Sequence, residues 1–241
     1  MPPTETPSLR ERLAAGRACT GLWSLLPGVV TAELLAGTGA DFVVLDLQHG
    51  GLAEAELPGV AAAVVAAGSV PLVRTRSPHP ADVGRPLDLG AHGVVVPSVL
   101  DADHAREVVA AGRYGPTGTR SAGRLSGGSD DPLVVVMVET AGALAELDAV
   151  LAIDGLDGVY VGPVDLSLSL GRAGEDIGEV LSSVIARAVA AGVPVGVHAF
   201  DGTTAAGYAA EGATIVTAAM DTIALGAALT GHVRAARGAR G

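Results

Sequence analysis

Two acidic residues follow two apolar runs of this 241-residue chain, and their positions predict a metal site. The run 133–138 leads directly to Glu139, and the run 158–164 leads to Asp165. Each run has the composition of a buried strand in a parallel sheet. In α/β barrels, side chains at the carboxyl ends of such strands face the region where the chemistry takes place. Two carboxylates that converge there would suit a divalent cation with oxygen ligands.

Other polar residues follow predicted strands at the same end. They are Asp46, His49, Arg74 and His198, whereas the opposite ends carry mostly Gly, Ala, Pro and Asp. This asymmetry is typical of the active face of a barrel. A turn or cap role is an open alternative for Asp46 and His49. For His198 we favour a structural role.

A structural role, rather than a role in the site, has to be considered for Asp165, Arg74 and Glu139. Asp165 could instead cap a helix that begins at Leu166. Arg74 and Arg76 lie two residues apart, and we expect one of them to be a solvated surface charge. Glu139 is harder to explain structurally, because its strand is otherwise apolar and burial of an unpaired carboxylate is unfavourable.

The chain contains no lysine, since all fifteen of its basic Lys and Arg residues are arginine. Chemistry that proceeds through a lysine Schiff base is therefore excluded. The net charge of −11 and the aromatic content of 2% argue against a nucleic-acid partner. Mean hydropathy is +0.46, but apolar runs are broken well before eighteen residues, so we expect no membrane span. With one cysteine and no secretion signal, we expect a cytoplasmic protein.

Apolar β-branched runs alternate with Ala-rich stretches that have helical periodicity. Eight such units in about 240 residues favour an α/β fold of the (β/α)8 TIM-barrel type, as one domain over 1–241 with 1–16 as an N-terminal helix or extension. We predict strands at 18–23, 42–47, 70–74, 93–97, 133–139, 158–162, 194–198 and 214–218. The clearest predicted helices are 29–37, 52–67, 102–111 and 179–191.

Several segments resemble the HpcH/HpaI aldolase family, the metal-dependent class II pyruvate aldolases. The most specific is GLDGVYVGPVDLS at 155–167 combined with Glu139. The others are DFVVLDLQHG at 41–50, PLVR at 71–74, LDLGA at 87–91, RYGPTGTR at 113–120 and VET at 138–140. The resemblance extends from Gly21 to Thr222 and implies a barrel of the phosphoenolpyruvate/pyruvate type.

The resemblance also implies roles for individual residues. Glu139 and Asp165 would bind Mg²⁺, with Mn²⁺ or Co²⁺ as alternatives, and His49, oriented by Asp46, would be the acid/base. Arg74 would contact the pyruvate oxygen. The remaining substrate-binding positions that it implies are Trp23, Gly162, Val164 and Asp165, with Asp88 near the site of a neighbouring subunit. A homo-oligomer, hexameric or trimeric, is expected.

The implied reaction is reversible cleavage of a 4-hydroxy-2-oxo acid to pyruvate and an aldehyde. It requires removal of the hydroxyl proton and stabilisation of the pyruvate enolate, for which a divalent metal, an arginine and a histidine are suited. Alternatives are a decarboxylase or lyase for oxaloacetate or a CoA thioester, and a non-catalytic barrel that binds a metal and an oxo acid.

The sequence departs from the family pattern at three places. Met137 occupies a position that is commonly glutamine, and strand alternation places it on the same side as Glu139. The segment 121–132 is shorter than the helical insertion of the family. Gln48 replaces a common glutamate. The aldehyde partner is not identified by the sequence.

Overall fold

The computed structural model describes residues 7–125 and 127–238, and in this part of the chain eight parallel strands form one closed barrel. The strands pair in chain order, and the last closes on the first, with a register shift between Gly21 and Leu22. Their bounds are β1 Cys19–Ser24, β2 Phe42–Asp46, β3 Val70–Arg74, β4 Gly93–Val96, β5 Leu133–Val138, β6 Gly158–Val161, β7 Val195–Val197 and β8 Ile215–Met220. The predicted TIM barrel is confirmed, with each strand at its predicted place.

Helices surround the barrel and connect its strands. Their bounds are α1 Leu9–Ala14, α2 Val29–Ala36, α3 Leu57–Ala66, α4 Pro80–Asp88, α5 Ala102–Gly112, α6 Ala141–Ala145, α7 Leu147–Leu151, α8 Pro163–Ser169, α9 Gly178–Ala191, α10 Gly202–Glu211 and α11 Asp221–Gly238. The helix predicted at 52–67 is instead a short 3₁₀ turn, Glu54–Glu56, followed by α3. Pro58 explains the division, because proline is accommodated in the first turn of a helix and not in its interior.

Alternation along the strands divides the core into two layers. Phe42 and Val44 of β2 point into the barrel, whereas Val43 and Leu45 pack outward against the helices. All five residues of this strand are buried. Such two-sided burial explains why the strands appear in the sequence as continuous apolar runs.

The N-terminal helix α1 closes the barrel at the amino ends of the strands. Leu9 and Leu13 pack into the interior cluster, and Ser8 and Glu11 form a reciprocal capping box. Residues 1–6 of the segment 1–16, for which a helix or an extension was expected, lie outside the described part. The single domain over 1–241 stays a prediction. Among the described residues, no helix is both long and apolar enough to cross a membrane.

Candidate functional site

A cavity of about 140 Å³ opens at the carboxyl ends of the strands. It is small beside the roughly 300–1,000 Å³ of typical pockets for drug-sized ligands, so it suits a small acid. Its lining residues are Trp23, Arg74, Met137, Gly162, Pro163, Val164, Asp165, His198, Phe200 and Met220. The structure therefore brings together most of the residues predicted from sequence. No described residue of 121–132 lines this cavity.

Glu139 directly follows β5 and is buried, with 6% of its surface exposed. Its Oε1 accepts a hydrogen bond of 2.6 Å from the backbone N–H of Ser98. Its Oε2 is buried and has no partner among the described residues. A Cβ atom added to Gly162 would lie 2.9 Å from that oxygen, so Gly162 leaves the carboxylate room. Burial, and then the negative charge of Asp165, raises the pKa of Glu139.

Asp165 lies in the first turn of α8, whose N-cap is Gly162. The alternative that Asp165 caps a helix beginning at Leu166 is wrong, because Pro163 starts the helix earlier. Its exposed side chain reaches the cavity. Leu166 donates the first hydrogen bond of α8, to the carbonyl oxygen of Gly162. The backbone N–H groups of Val164 and Asp165 therefore have no partner within the helix.

The two carboxylates fit a divalent cation. Hard cations take carboxylate oxygens and retain waters, and Oε2 of Glu139 is a buried acceptor that has no partner among the described residues. In residues 7–125 and 127–238 no group of three or more His, Cys, Asp or Glu residues could hold a metal. A site here would therefore have Glu139 and Asp165 as its protein ligands, with water and substrate completing the coordination.

Asp46 ends β2 and is fully buried. Its Oδ2 accepts from Nε1 of Trp23 at 2.9 Å and forms an ion pair with the guanidinium of Arg74. Burial opposes ionisation of Asp46, but these hydrogen bonds and the charge of Arg74 outweigh it and lower its pKa. The guanidinium of Arg74 also lies 5.1 Å from the centre of the Trp23 ring. Asp46 thus holds Arg74 and Trp23 at the cavity.

Asp46 positions the backbone of His49 rather than its ring. Its Oδ1 accepts from the backbone N–H groups of Gln48 at 2.9 Å and His49 at 3.0 Å. Within the described residues it makes no hydrogen bond to the imidazole, since both carboxylate oxygens are already engaged. His49 is exposed, beside the cavity rather than in its lining. The acid/base role of His49 stays a prediction.

Two other predicted positions lie away from the cavity. Asp88, at the end of α4, forms an ion pair of 2.7 Å with Arg120, so this chain does not bring Asp88 to its own pocket. The side chain of Arg76 is 59% exposed and lies near Glu54. Arg76 is therefore the surface charge of the Arg74/Arg76 pair, as expected for one of the two.

Two residues of the site were not predicted from the sequence: a structural role was favoured for His198, and Tyr160 was not considered. His198 lines the cavity, and its ring meets Trp23 edge-on with centres 4.9 Å apart. Its Nδ1 lies 3.2 Å from the hydroxyl of Tyr160. Burial, with the charge of Arg74, lowers the pKa of His198 to about 4. The available signals were a histidine at a strand end and a tyrosine within an apolar strand. Met137 lines the cavity on the side that alternation predicted.

The fold and the site together define a (β/α)8 barrel with a small cavity at the carboxyl ends of its strands. The chain is 37% identical over 230 residues to a hydroxypyruvate/pyruvate aldolase of Rhizorhabdus wittichii, covering 88% of this chain and 92% of that protein. It is 33% identical over 236 residues to a 4-hydroxy-2-oxo-heptane-1,7-dioate aldolase of Salmonella dublin, covering 90% of each. A solved structure of an HpcH/HpaI aldolase/citrate lyase family protein from Burkholderia cenocepacia superposes with a TM-score of 0.88 at 30% identity, covering 96% of this chain and 100% of that one.

The family model for HpcH/HpaI aldolase/citrate lyase matches residues 19–228. The chain belongs to the HpcH/HpaI aldolase/citrate lyase family. It is accordingly a lyase, and the predicted family and enzyme class are confirmed.

Proposed function

We propose that the protein is a divalent-metal-dependent aldolase that reversibly cleaves a 4-hydroxy-2-oxo acid to pyruvate and an aldehyde. The observation that carries the proposal is the buried Oε2 of Glu139, which has no partner among the described residues and faces Gly162 in the cavity wall. Arg74, held by Asp46, lines the same cavity. Mg²⁺ is the proposed ion, with Mn²⁺ and Co²⁺ as alternatives of similar ligand chemistry.

The proposed roles follow from position and charge. Arg74 places positive charge beside the oxygen that becomes negative when the carbon–carbon bond breaks. The free backbone N–H groups of Val164 and Asp165 bind the carboxylate of pyruvate. A divalent metal held by Glu139 and Asp165 would supply Lewis-acid stabilisation of the developing negative charge. His49 removes the proton from the 4-hydroxyl group, a transfer for which an imidazole side chain is suited near neutral pH.

The lining of the cavity argues against larger or more highly charged substrates. Arg74 is the only cationic side chain among its lining residues in the described part of the chain, and its proposed role already engages it with the pyruvate oxygen. A CoA thioester would need further basic residues for its phosphates. Oxaloacetate remains the closest alternative, and metal-dependent release of CO₂ from oxaloacetate would reveal that activity.

We also propose a homo-oligomer, trimeric or hexameric. Beyond Asp221, every described residue of α11 is exposed, and its apolar side chains include Ile223, Leu225, Leu229 and Val233. Burial of such a face between subunits would be favourable. Size-exclusion chromatography with light scattering measures the state, and a monomer would contradict the proposal. The cytoplasm stays the expected location on the sequence alone.

The function is tested by exchange of deuterium from D₂O into the methyl group of pyruvate, followed by NMR. We expect exchange with Mg²⁺ and none with chelator. Glu139→Gln should abolish metal-dependent exchange, whereas His49→Ala should leave metal binding intact. Arg74→Gln should lose exchange, and Arg76→Gln, two residues away on the surface, should match the wild type. Exchange that is absent or independent of metal in the folded wild-type protein would contradict the mechanism.

A further inference from the structure

A line of hydrogen-bonded side chains crosses the barrel interior and ends on the cavity wall. The hydroxyl of Tyr160, on β6, lies 2.6 Å from Oγ1 of Thr217 on β8. On its other side it lies 3.2 Å from Nδ1 of His198, just after β7. Tyr160 and Thr217 are completely buried. We call these three residues the Thr217–Tyr160–His198 relay.

The surrounding residues hold the relay in place. A Cβ atom added to Gly196 would lie 2.6 Å from Cδ2 of Tyr160, so the tyrosine ring depends on glycine at that position. Trp23 and Phe200 each contact the His198 ring edge-on, with ring centres 4.9 Å apart. Polar groups in a barrel interior are costly unless they are satisfied. Within the relay, every polar side-chain atom except one has a hydrogen-bond partner.

The exception is Nε2 of His198. It is buried and has no hydrogen-bond partner among the described residues, yet its ring forms part of the cavity lining. Because burial lowers the pKa of His198 to about 4, the ring is neutral at pH 7. It therefore offers a ligand one hydrogen bond and no charge.

We propose that Nε2 of His198 binds a hydroxyl group on the aldehyde-derived part of the substrate, which makes His198 a specificity-determining residue. This inference rests on the proposed aldolase function. Glu139 follows β5, Asp165 lies in α8 after β6 and Arg74 ends β3, and these three residues serve the pyruvate part. His198 and Phe200 lie in the segment after β7, and Met220 ends β8, so this wall of the cavity is left for the other part of the substrate.

A hydroxyl group is the ligand group that suits both tautomers of His198. If Tyr160 donates to Thr217, Nδ1 carries the proton and Nε2 accepts; if Tyr160 donates to Nδ1, Nε2 donates. A hydroxyl can donate or accept, whereas a carbonyl can only accept. The neighbouring wall residues Trp23, Phe200 and Met220 supply no positive charge for a carboxylate. The relay thus favours a small, uncharged hydroxyaldehyde.

The experiment measures kcat/KM for aldol addition of pyruvate to paired aldehydes that exchange a hydroxyl for a methyl group. The pairs are glycolaldehyde with propanal and 3-hydroxypropanal with butanal. In the wild type we expect a preference of about tenfold or more for the hydroxylated member of at least one pair. His198→Leu should reduce that preference to near one. His198→Gln, which retains a hydrogen-bonding group, should keep part of it.

Pyruvate methyl exchange provides the internal control, because it requires no aldehyde. It should stay within about threefold of the wild type in every His198 variant. Tyr160→Phe leaves His198 in place and should lower the preference severalfold, so the test survives if His198→Leu does not fold. A preference unchanged in both variants, or none in the wild type, would overturn the inference. Exchange absent from the wild type would instead overturn the proposed function, and the inference with it.

Discussion

At the scale of single residues, Asp46 holds several groups of the site in place. Its two oxygens hold Arg74, the indole of Trp23 and the backbone of Gln48 and His49. Asp46→Asn keeps the shape but removes the charge and one acceptor oxygen. Because Arg74 would then be buried without its counter-ion, we expect the free energy of unfolding to fall by about 2–4 kcal/mol.

Urea unfolding measures this change, and pyruvate exchange should fall at least about tenfold at the same time because Arg74 is no longer held. Asp103→Asn is the matched control, since the side chain of Asp103 is 92% exposed, and we expect it to match the wild type. An Asp46→Asn variant as stable and active as the wild type would show that the ion pair does not position Arg74.

His198 gives a prediction about pH and stability. Burial, and then the charge of Arg74, lowers its pKa from 6.5 to about 4. Between these values the unfolded chain binds a proton that the folded chain does not, so stability falls as the pH falls from 6.5 towards 4. The shift corresponds to at most about 3 kcal/mol. Urea unfolding at several pH values should show a shallower dependence of stability on pH in His198→Gln, and a slope equal to that of the wild type would contradict the prediction.

At the scale of elements, the strands could be predicted from sequence because two-sided burial makes each one a continuous apolar run. The segments that connect the strands to the helices were harder to predict. Asp165 lies in the cavity lining at the carboxyl ends of the strands, where its sequence position had suggested, but the start of α8 at Pro163 could be assigned only from the structure. The contact of Tyr160 with Thr217 and His198 joins β6 to β8 and to the segment after β7. Such contacts between strands distant along the chain leave no local pattern in the sequence.

In the loop after β4, the backbone of Ser98 contacts Glu139, a residue distant along the chain, and this contact leads to a prediction. Ser98 has a φ of +58°, in the left-handed region that is unfavourable for residues other than glycine, and its N–H donates to Oε1 of Glu139. Ser98→Ala and Ser98→Gly keep that N–H and should bind Mn²⁺ as the wild type does. Ser98→Pro removes it and cannot adopt a positive φ, so we expect Mn²⁺ affinity to fall at least about tenfold in calorimetry. Equal affinity in a folded proline variant would exclude a positioning role for Ser98.

At the scale of the whole molecule, the two ends of the barrel have different roles: one end holds the cavity, and the other is covered by α1. The cavity occupies the carboxyl ends of the strands, and α1 covers the amino ends, where Asp157 forms ion pairs with Arg10 and Arg113. Asp157 also accepts from the backbone N–H of Val134 at 2.7 Å. The sequence predicted the barrel and its active face, since both are consequences of the order of the elements. It did not predict the ion pairs of Asp157, which join α1, the end of α5 and the segment before β6.

This separation predicts that a change at the amino-terminal face lowers stability without changing the site. Asp157→Asn removes the largely buried counter-ion of Arg10 and Arg113, which then keep only the exposed carboxylate of Asp131, so we expect the free energy of unfolding to fall by about 3 kcal/mol. A ligand that binds only the folded state stabilises it by an amount set by its concentration and affinity, about 2.7 kcal/mol at one hundred times Kd. Mg²⁺ should therefore raise the Tm of Asp157→Asn by nearly the same increment as in the wild type, and should not raise that of Glu139→Gln. Calorimetric scans with Mg²⁺ and with chelator measure both effects. If Mg²⁺ no longer raised the Tm of Asp157→Asn, the ion pairs at the amino-terminal end of the barrel and the metal site at the other end would be coupled. That result would contradict the prediction that the two ends are independent.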